Sequence, residues 1–318
     1  MASYTMQRTA TNDLKSASFV SKSTVVIDLG GTNLRLGHIG ADGPHPAGQV
    51  LPTESLRQTE PIEFLAAAVA QYVQQNELEL AGVVIGVPFT PDRELSTAVS
   101  SPNIRNLEGV PLRAGLTEKL RCPVRLERDI NLLALGEWAA GAVKGVASVF
   151  GMFVGTGVGG CYLENGQPYR GSTGAALELG HIPIRAEGKV CVCGNVDCVE
   201  AYACGHILKG IAEEAQLEVG TIFDQGLARP DLETVLQTFV DDLARTLSTG
   251  VNLFHPEVAL VGGGVVEMKG FPKERFRRTF YTHLRRPVPS ETVELQWAEL
   301  GSRASLYGAQ VLLGRANG

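Results

Sequence analysis

The chain lacks the sequence features of membrane proteins, nucleic-acid-binding proteins and secreted proteins. No apolar run approaches the length of a membrane-spanning helix. Basic residues are not in excess: the net charge is −6 and the pI is about 5.6, which argues against a nucleic-acid-binding surface. The first residues, MASYTMQRTATNDLKSASFV, lack the apolar core of a secretory signal. We therefore expect a cytoplasmic protein with reduced thiols that binds small molecules, with no nucleic-acid partner and no membrane.

The chain has enough apolar material for two domains. Its 318 residues are 44% apolar and 19% charged, as in globular proteins. Strand patterns alternate with helix patterns, which predicts an α/β fold with largely parallel strand order. The predicted elements are a strand at 23–28, a helix at 62–76, strands at 81–87 and 124–129, a helix at 130–142, a strand at 147–154, a helix at 233–254, a strand at 258–261 and a helix at 304–313.

The most specific feature is a cluster of Cys191, Cys193 and Cys198 near His181. Three thiols and one imidazole make a complete tetrahedral zinc set, so such a zinc would be structural. The alternatives are a disulfide with one thiol left over or unpaired core thiols, and C-x-C is tighter than the usual finger spacing. Reduced thiols beside a histidine favour the metal. For His181 the alternative is an ordinary structural histidine.

Three glycine turns each follow an apolar strand, at 30–32, 155–160 and 262–264. In open α/β sheets ligands bind at the carboxyl ends of strands, and glycine lets backbone N–H groups approach phosphate. Gly155–Gly160 reads G-x-G-x-G-G, and we do not interpret it as a dinucleotide-binding turn. No P-loop motif is present, and each turn alone could be a hairpin turn. Asp28 suits a Mg²⁺ held through water, or it caps its own turn. The similarity of the first two turns and of the strands before them predicts a duplicated domain.

These segments form an ordered set of motifs. They are D-L-G-G-T-N at Asp28–Asn33, S-P-N-I at Ser101–Ile104, R-D-I-N at Arg128–Asn131, G-T-G-V-G-G at Gly155–Gly160, E-L-G-H at Glu178–His181, C-V-C-G-N-V-D-C-V-E at Cys191–Glu200 and V-G-G-G-V at Val261–Val265. The set resembles the ROK family of sugar kinases and related repressors. That family lies within the actin-like, ribonuclease-H-like ATPases, which have two domains with duplicated mixed sheets and a cleft between them.

The resemblance implies a site for each substrate. Asp129 matches the catalytic base that accepts the proton of the sugar 6-hydroxyl, although its position also suits an N-cap. The residues that match the sugar contacts are Asn103, Arg128, Asp129, Glu178, His181 and Glu200. The zinc ligands match His181, Cys191, Cys193 and Cys198. The ATP site matches Asp28, which would also hold Mg²⁺, and Gly30, Gly31, Thr32, Asn33, Gly155, Thr156, Gly157, Gly159, Gly262, Gly263 and Gly264.

Three positions depart from the family pattern. Asp197 and Leu177 stand where glycine is usual, and Arg128 replaces the asparagine that commonly precedes the catalytic aspartate. Because that asparagine contacts the sugar, Arg128 indicates a substrate other than glucose. The motifs R-D-x-N, E-L-G-H-I-P and N-L-F-x-P are most similar to those of family members that phosphorylate D-allose. Glucose and N-acetylhexosamines are the alternative substrates.

Two other classes compete with an ATP-dependent hexose kinase. One is a sugar-responsive regulator of the same family, and the other is an inactive sugar-binding protein. Only about two dozen residues, most of them polar, precede the first predicted strand, which we expect to be too few for a DNA-binding domain. The expected domains are a flexible N-terminus at 1–23, an N-terminal domain at 24–128 with about 301–318, and a C-terminal domain at 129–300 that carries the zinc motif. The resemblance also implies a homodimer.

Overall fold

The computed structural model describes residues 22–314. In this range the strands are β1 (Lys22–Leu29), β2 (Asn33–Gly40), β3 (Gly43–Pro52), β4 (Glu79–Val87), β5 (Thr90–Pro91), β6 (Ala98–Ser100), β7 (Val124–Arg128), β8 (Ser148–Val154), β9 (Val158–Glu164), β10 (Gln167–Pro168), β11 (Val258–Gly262) and β12 (Glu294–Trp297). The α-helices are α1 (Thr53–Arg57), α2 (Pro61–Gln75), α3 (Leu112–Leu120), α4 (Asp129–Ala140), α5 (Gly205–Glu214), α6 (Ile222–Gly226), α7 (Pro230–Phe254), α8 (Lys273–Thr282) and α9 (Ala304–Gly314).

Two five-stranded sheets share one topology. The strand orders are β3-β2-β1-β4-β7 and β10-β9-β8-β11-β12, so each strand of the first sheet has a counterpart in the second. Each sheet is antiparallel through its hairpins and parallel beyond its central strand. The prediction of a duplicated α/β fold is confirmed. The mixed sheets that the family resemblance implied are confirmed. The largely parallel order predicted from the strand and helix patterns is wrong, because the first two glycine turns are tight hairpin turns that reverse the chain.

Strand β1 shows why the first sheet needs helices on both faces. Its alternate residues Val25, Ile27 and Leu29 are fully buried against the cluster that contains α2 and α3. Val26 points to the opposite face, where it packs against α9. A strand buried on both faces reads as a continuous apolar run, as this one does.

Helices α4 and α9 cross each other next to both sheets. Leu132 of α4 packs with Val26 of the first sheet and with Leu306 of α9, while Ile130 and its neighbours pack against the second sheet. The two helices approach closely because Gly136 of α4 faces the backbone of α9, and Gly308 of α9 faces the backbone of α4. A methyl group at Gly136 would lie 2.0 Å from the carbonyl oxygen of Ala304. Helix α9 thus brings the end of the chain back to the first sheet.

The predicted elements occur in order, with boundaries that move by a few residues. The segment 1–23, predicted to be flexible, lies outside the described residues except for Lys22 and Ser23, which begin β1. Residues 315–318 also lie outside them, and the domain boundaries stay a prediction. Among the described helices, none is long and apolar enough to cross a membrane.

The helix crossing gives a test of packing. We expect Gly136→Ala to destabilise the fold by about 1–3 kcal/mol, because α9 must move to admit the methyl group. Gly210→Ala is the matched control: it also lies inside a helix, but nothing is within 4 Å of the added carbon. That variant should gain up to about 1 kcal/mol from helix propensity. Equal urea midpoints for the two variants would contradict the close crossing.

Candidate active site

The turn between β1 and β2 holds its carbonyl groups against the protein. The Thr53 hydroxyl donates to the Gly30 carbonyl at 2.7 Å, and the Thr53 N–H donates to the Thr32 carbonyl at 2.9 Å. The Arg57 guanidinium donates to the Gly31 carbonyl at 2.6 Å. Within residues 22–314, the N–H groups of Gly31 and Thr32 have no hydrogen-bond partner. A peptide is planar and trans, so these two N–H groups point away from the bonded carbonyls.

The turn between β8 and β9 repeats this arrangement with other partners. The first N–H groups of α5, from Gly205 and His206, donate to the carbonyls of Gly155 and Thr156 at 2.8 and 3.1 Å. In the described part of the chain, the N–H groups of Thr156 and Gly157 remain without a partner. Two unrelated sets of contacts therefore produce the same result, a pair of adjacent N–H groups free to bind an anion.

The two turns meet across the cleft. The hydroxyl oxygens of Thr32 and Thr156 are 3.2 Å apart, and the Thr156 side chain lies against Gly31. The third glycine turn lies next to the second, since Val265 N–H donates to the Val154 carbonyl at 3.0 Å. Gly263 has φ +97°, and a methyl group there would meet the backbone of Val154. The neighbouring Gly264 faces open space.

Two carboxyl groups lie at the strand ends beside these turns. Burial raises the pKa of Asp129 to about 7, and the nearby Asp28 carboxylate adds to the effect. Burial also raises the pKa of Asp28, which the charge of Arg35 opposes. Arg35 is the cross-strand partner of Asp28 in the β1–β2 hairpin. Such a site holds a proton near neutral pH and contains a carboxylate that a cation would stabilise.

Asp129 begins helix α4, and its side chain accepts a hydrogen bond from the next N–H, that of Ile130, at 2.7 Å. The N-cap position itself is taken by Arg128. The N-cap interpretation of Asp129 is therefore wrong by one residue, since Asp129 is the first residue inside the helix. Its carboxyl group keeps a second oxygen for other partners.

Two arginine–glutamate pairs join this strand end to the loop before Glu178. Arg128 donates to Glu178 Oε1 at 3.0 Å and to the carbonyl of Ala176. Arg170 is paired with Glu127, a fully buried carboxylate. Both pairs connect the end of β7 to residues 170–178, and the pair made by Arg128 holds the Glu178 carboxylate directly. Arg128 itself is almost completely buried.

The four predicted metal ligands converge. The ligand atoms of His181, Cys191, Cys193 and Cys198 all lie within 4.8 Å of one another. Cys193 and Cys198 have their sulfurs 3.8 Å apart, and Zn–S bonds of about 2.3 Å give a tetrahedral edge of about 3.8 Å. The Nδ1 atom of His181 is 3.7 Å from the Cys191 sulfur. The donor set and its spacing fit a tetrahedral zinc.

The other face of His181 points to Glu200. Its Nε2 atom is 4.0 Å from Glu200 Oε2, while Glu200 Oε1 accepts a hydrogen bond from Val158 N–H at 2.6 Å. Glu200 also fills the space beside Gly157, where a methyl group would lie 2.2 Å from Oε1. One carboxylate therefore connects the thiol–imidazole cluster to the second glycine turn.

Asp197 and Leu177, which stand where the family usually has glycine, both have a left-handed backbone conformation. Asp197 has φ +61° and Leu177 has φ +64°. The Asp197 carboxylate accepts hydrogen bonds from the N–H groups of Gly188 and Lys189, both at 3.0 Å, and from Tyr202 at 2.5 Å. These bonds offset the conformational cost at Asp197. The left-handed conformation costs more at Leu177, because its side chain has no polar group that could form hydrogen bonds with the nearby backbone.

The remaining predicted residues take different places. Asn103 is exposed, and its carbonyl accepts a hydrogen bond from Arg57. Asn33 closes the first turn through its carbonyl. Gly159 lies inside β9 against Ile130, so the structure gives it a packing reason and does not bring it to the turn. Sequence reasoning missed four residues at the site: Arg35, Thr53, Arg57 and Arg170. Period-two alternation from Asp28 across the hairpin was the one available signal, for Arg35.

Comparison with known proteins assigns the family. The model of the ROK family matches residues 24–316. The chain belongs to the ROK family. A glucokinase of Streptomyces coelicolor is 28% identical over 310 residues, which cover 90% of this chain and 96% of that protein. An N-acetyl-D-glucosamine kinase of Salmonella paratyphi C is 27% identical over 259 residues, covering 75% of this chain and 82% of the kinase.

Solved structures of ROK proteins have the same two-sheet fold. A ROK family glucokinase from Streptomyces griseus, in complex with glucose and AMPPNP, superposes with a TM-score of 0.78 at 25% identity, covering 91% of this chain and 98% of that one. A ROK hexokinase from Thermus thermophilus gives a TM-score of 0.74 at 27% identity, covering 93% of this chain and all of that one. The prediction of the actin-like two-domain fold of ROK kinases is confirmed.

The raised pKa of Asp129 predicts a pH-dependent stability. The native carboxyl group binds its proton more tightly than the unfolded one, so stability is lost as pH rises from 3.8 towards about 7. Without Mg²⁺, nucleotide or sugar, Asp129→Asn should raise Tm, and the gain should grow between pH 4.5 and pH 8.

Asp92→Asn is the matched control, because Asp92 accepts two hydrogen bonds from Ser96 and its pKa is lowered. That variant should lower Tm. An Asp129→Asn shift that is the same at both pH values would contradict the buried, proton-binding site.

Proposed function

We propose that this protein transfers the γ-phosphoryl group of ATP to the 6-hydroxyl of an aldohexose. The observation that carries the proposal is the pair of glycine turns, which meet at the hydroxyls of Thr32 and Thr156 and together leave four N–H groups without a partner within residues 22–314. Asp28, at the end of the strand before the first turn, is close enough to raise the pKa of Asp129. A ROK glucokinase and an N-acetyl-D-glucosamine kinase of similar length support a hexokinase-type phosphotransferase. The glucokinase structure with glucose and AMPPNP supports ATP as the donor.

The proposed reaction needs little beyond positioning and charge neutralisation. In phosphoryl transfer the transition state is loose, and the negative charge spreads over the phosphate oxygens. The N–H groups of Gly31, Thr32, Thr156 and Gly157 would take that charge, with the two threonine hydroxyls between them. Asp28 would hold Mg²⁺ through water, and the ion would neutralise phosphate charge when bound. These groups are oriented before the reaction, so no reorganisation is needed.

Asp129 would act as the general base. The sugar O6 forms a bond to phosphorus, the bond to the ADP oxygen breaks, and the hydroxyl proton goes to the Asp129 carboxylate. Its pKa of about 7 is far below that of an alcohol, so the proton moves late, as the new bond forms. The same pKa predicts that kcat/KM rises with pH through about 7, because the free enzyme must lose its proton first.

The sugar would lie between Glu178, His181 and Glu200, with Asn103 at the edge. A zinc ion on His181 Nδ1 and the three thiolates would fix the imidazole tautomer and leave Nε2–H free to donate. Glu178 comes to the site already paired with Arg128, so the sugar would meet a charged pair in place of an asparagine side chain. This pair is our reason for proposing D-allose, with glucose or an N-acetylhexosamine as the alternatives. A homodimer remains a prediction from the family resemblance.

A kinase assay tests the proposal. With Mg-ATP, the wild type should release ADP with at least one sugar of a panel of allose, glucose, mannose, fructose and N-acetylglucosamine, and allose should give the highest kcat/KM. Asp129→Asn should lower kcat by at least about 10²-fold and leave sugar affinity nearly unchanged, since only the base is removed.

Asp92→Asn serves as the control and should retain wild-type kcat. An inactive wild type that still binds sugar would favour a sugar-binding protein. A preference for glucose would overturn the allose assignment alone.

Metal analysis tests the zinc site. Purified wild-type protein should contain about one equivalent of zinc per chain. Cys198→Ser should lose the metal and several degrees of Tm, because the ion connects Cys191–Cys198 to His181. Cys122→Ser is the control: Cys122 is a buried cysteine between α3 and β7, and this variant should keep its zinc. Absence of zinc from the wild type, or full zinc content in Cys198→Ser, would contradict the assignment.

A further inference from the structure

The short helix α1 contacts both sides of the proposed site. At its first residue, Thr53 binds the carbonyls of Gly30 and Thr32 in the first glycine turn. Near its end, the side chain of Asn106 donates to the carbonyls of Leu56 and Thr59, at 2.8 and 3.0 Å. Thus one five-residue helix connects the phosphate-facing turn to the loop that contains Asn103.

Arg57 makes this connection within a single side chain. Its Nη2 donates to the Gly31 carbonyl at 2.6 Å, and its Nε donates to the Asn103 carbonyl at 3.0 Å. The remaining terminal nitrogen is held by Glu54 at 2.9 Å. Because the guanidinium is planar and rigid, its two carbonyl partners cannot move independently while both bonds persist.

The bond to Gly31 has a particular consequence. The carbonyl of Gly31 and the N–H of Thr32 belong to one peptide plane and point in opposite directions. Arg57 therefore directs the Thr32 N–H, one of the four free donors, towards the cleft. Its other bond joins the same guanidinium to the loop on the sugar side.

We propose that Arg57 is a positioning residue that couples sugar binding to nucleotide binding. The inference rests on the proposed function, since it needs a sugar near Asn103 and a phosphate at the turn. A sugar that orders the loop at Asn103 fixes the guanidinium, and the guanidinium in turn fixes the peptide that binds phosphate. By linkage, nucleotide should tighten sugar binding by the same factor.

Calorimetry measures this coupling. The dissociation constant of the imidophosphate analogue of ATP with Mg²⁺ is determined with and without saturating sugar, using D-allose and D-glucose in turn. The wild type should bind the analogue more tightly with its substrate sugar, by a factor of about 5–150. In Arg57→Met the factor should fall to within about twofold of 1. Arg57→Lys should also lose most of it, since one ammonium group cannot reproduce the planar two-point contact.

Arg105→Met is the matched control. Arg105 is an exposed arginine in the same loop, and its side chain has no hydrogen-bond partner within residues 22–314, so the factor should be unchanged. A folded Arg57→Met that keeps the wild-type factor overturns the inference, even if its Tm falls, because that is what a purely structural role predicts. If Arg57→Met does not fold, Arg57→Lys decides by the same criterion. A wild type with no kinase activity contradicts the proposed function instead.

Discussion

In a trans peptide the N–H points opposite to the carbonyl of the same plane, so a hydrogen bond that fixes the carbonyl also fixes the direction of the N–H. In this protein every free N–H of the first two glycine turns is aimed in this way. Thr53 and Arg57 hold the carbonyls of the first turn, and the start of α5 holds those of the second. Glycine allows an anion to approach the backbone closely, but the hydrogen-bond partners of the carbonyls set the direction of the N–H groups. Without them the turns would be ordinary hairpin connections, since both sheets reverse at these points.

The thiol–imidazole cluster is connected to the same constraint. His181 faces the cluster with one nitrogen and Glu200 with the other, while Glu200 binds the N–H of Val158 directly after the second turn. A metal held there would therefore fix the imidazole and, through Glu200, the backbone beside the second glycine turn. In the first half of the chain, Arg57 of α1 makes the corresponding connection between the first glycine turn and the loop that contains Asn103. Under the proposed function, each half of the molecule joins its sugar and nucleotide sites, the first through Arg57 and the second through Glu200.

Local patterns were sufficient for the most apolar strands, the turns and the Cys/His cluster, because the residues of each lie close together in sequence. They missed β2, β3, β9 and β12. The ligands from His181 to Cys198 form one short segment, and the three turns each follow a recognisable apolar strand. Contacts between distant segments could not be predicted in the same way. Arg128 and Glu178 are 50 positions apart, and Arg57 and Gly31 are 26 positions apart. In the sequence alone, Arg57 resembles any charged residue near the end of a helix. The alternation of strands and helices alone predicted a largely parallel order, because a glycine turn has the same sequence whether or not it reverses the chain in a hairpin; the mixed order came from the family resemblance.

The central claim is that both turns and Asp129 act on one phosphoryl group. A crystal structure of the protein with its substrate sugar and the imidophosphate analogue of ATP tests it most directly. The account predicts phosphate oxygens within hydrogen-bond distance of the N–H groups of Thr32 and Gly157, with the sugar O6 beside the Asp129 carboxylate. Phosphates bound away from both turns, or a sugar whose O6 contacts neither Asp129 nor the γ-phosphate, would contradict it.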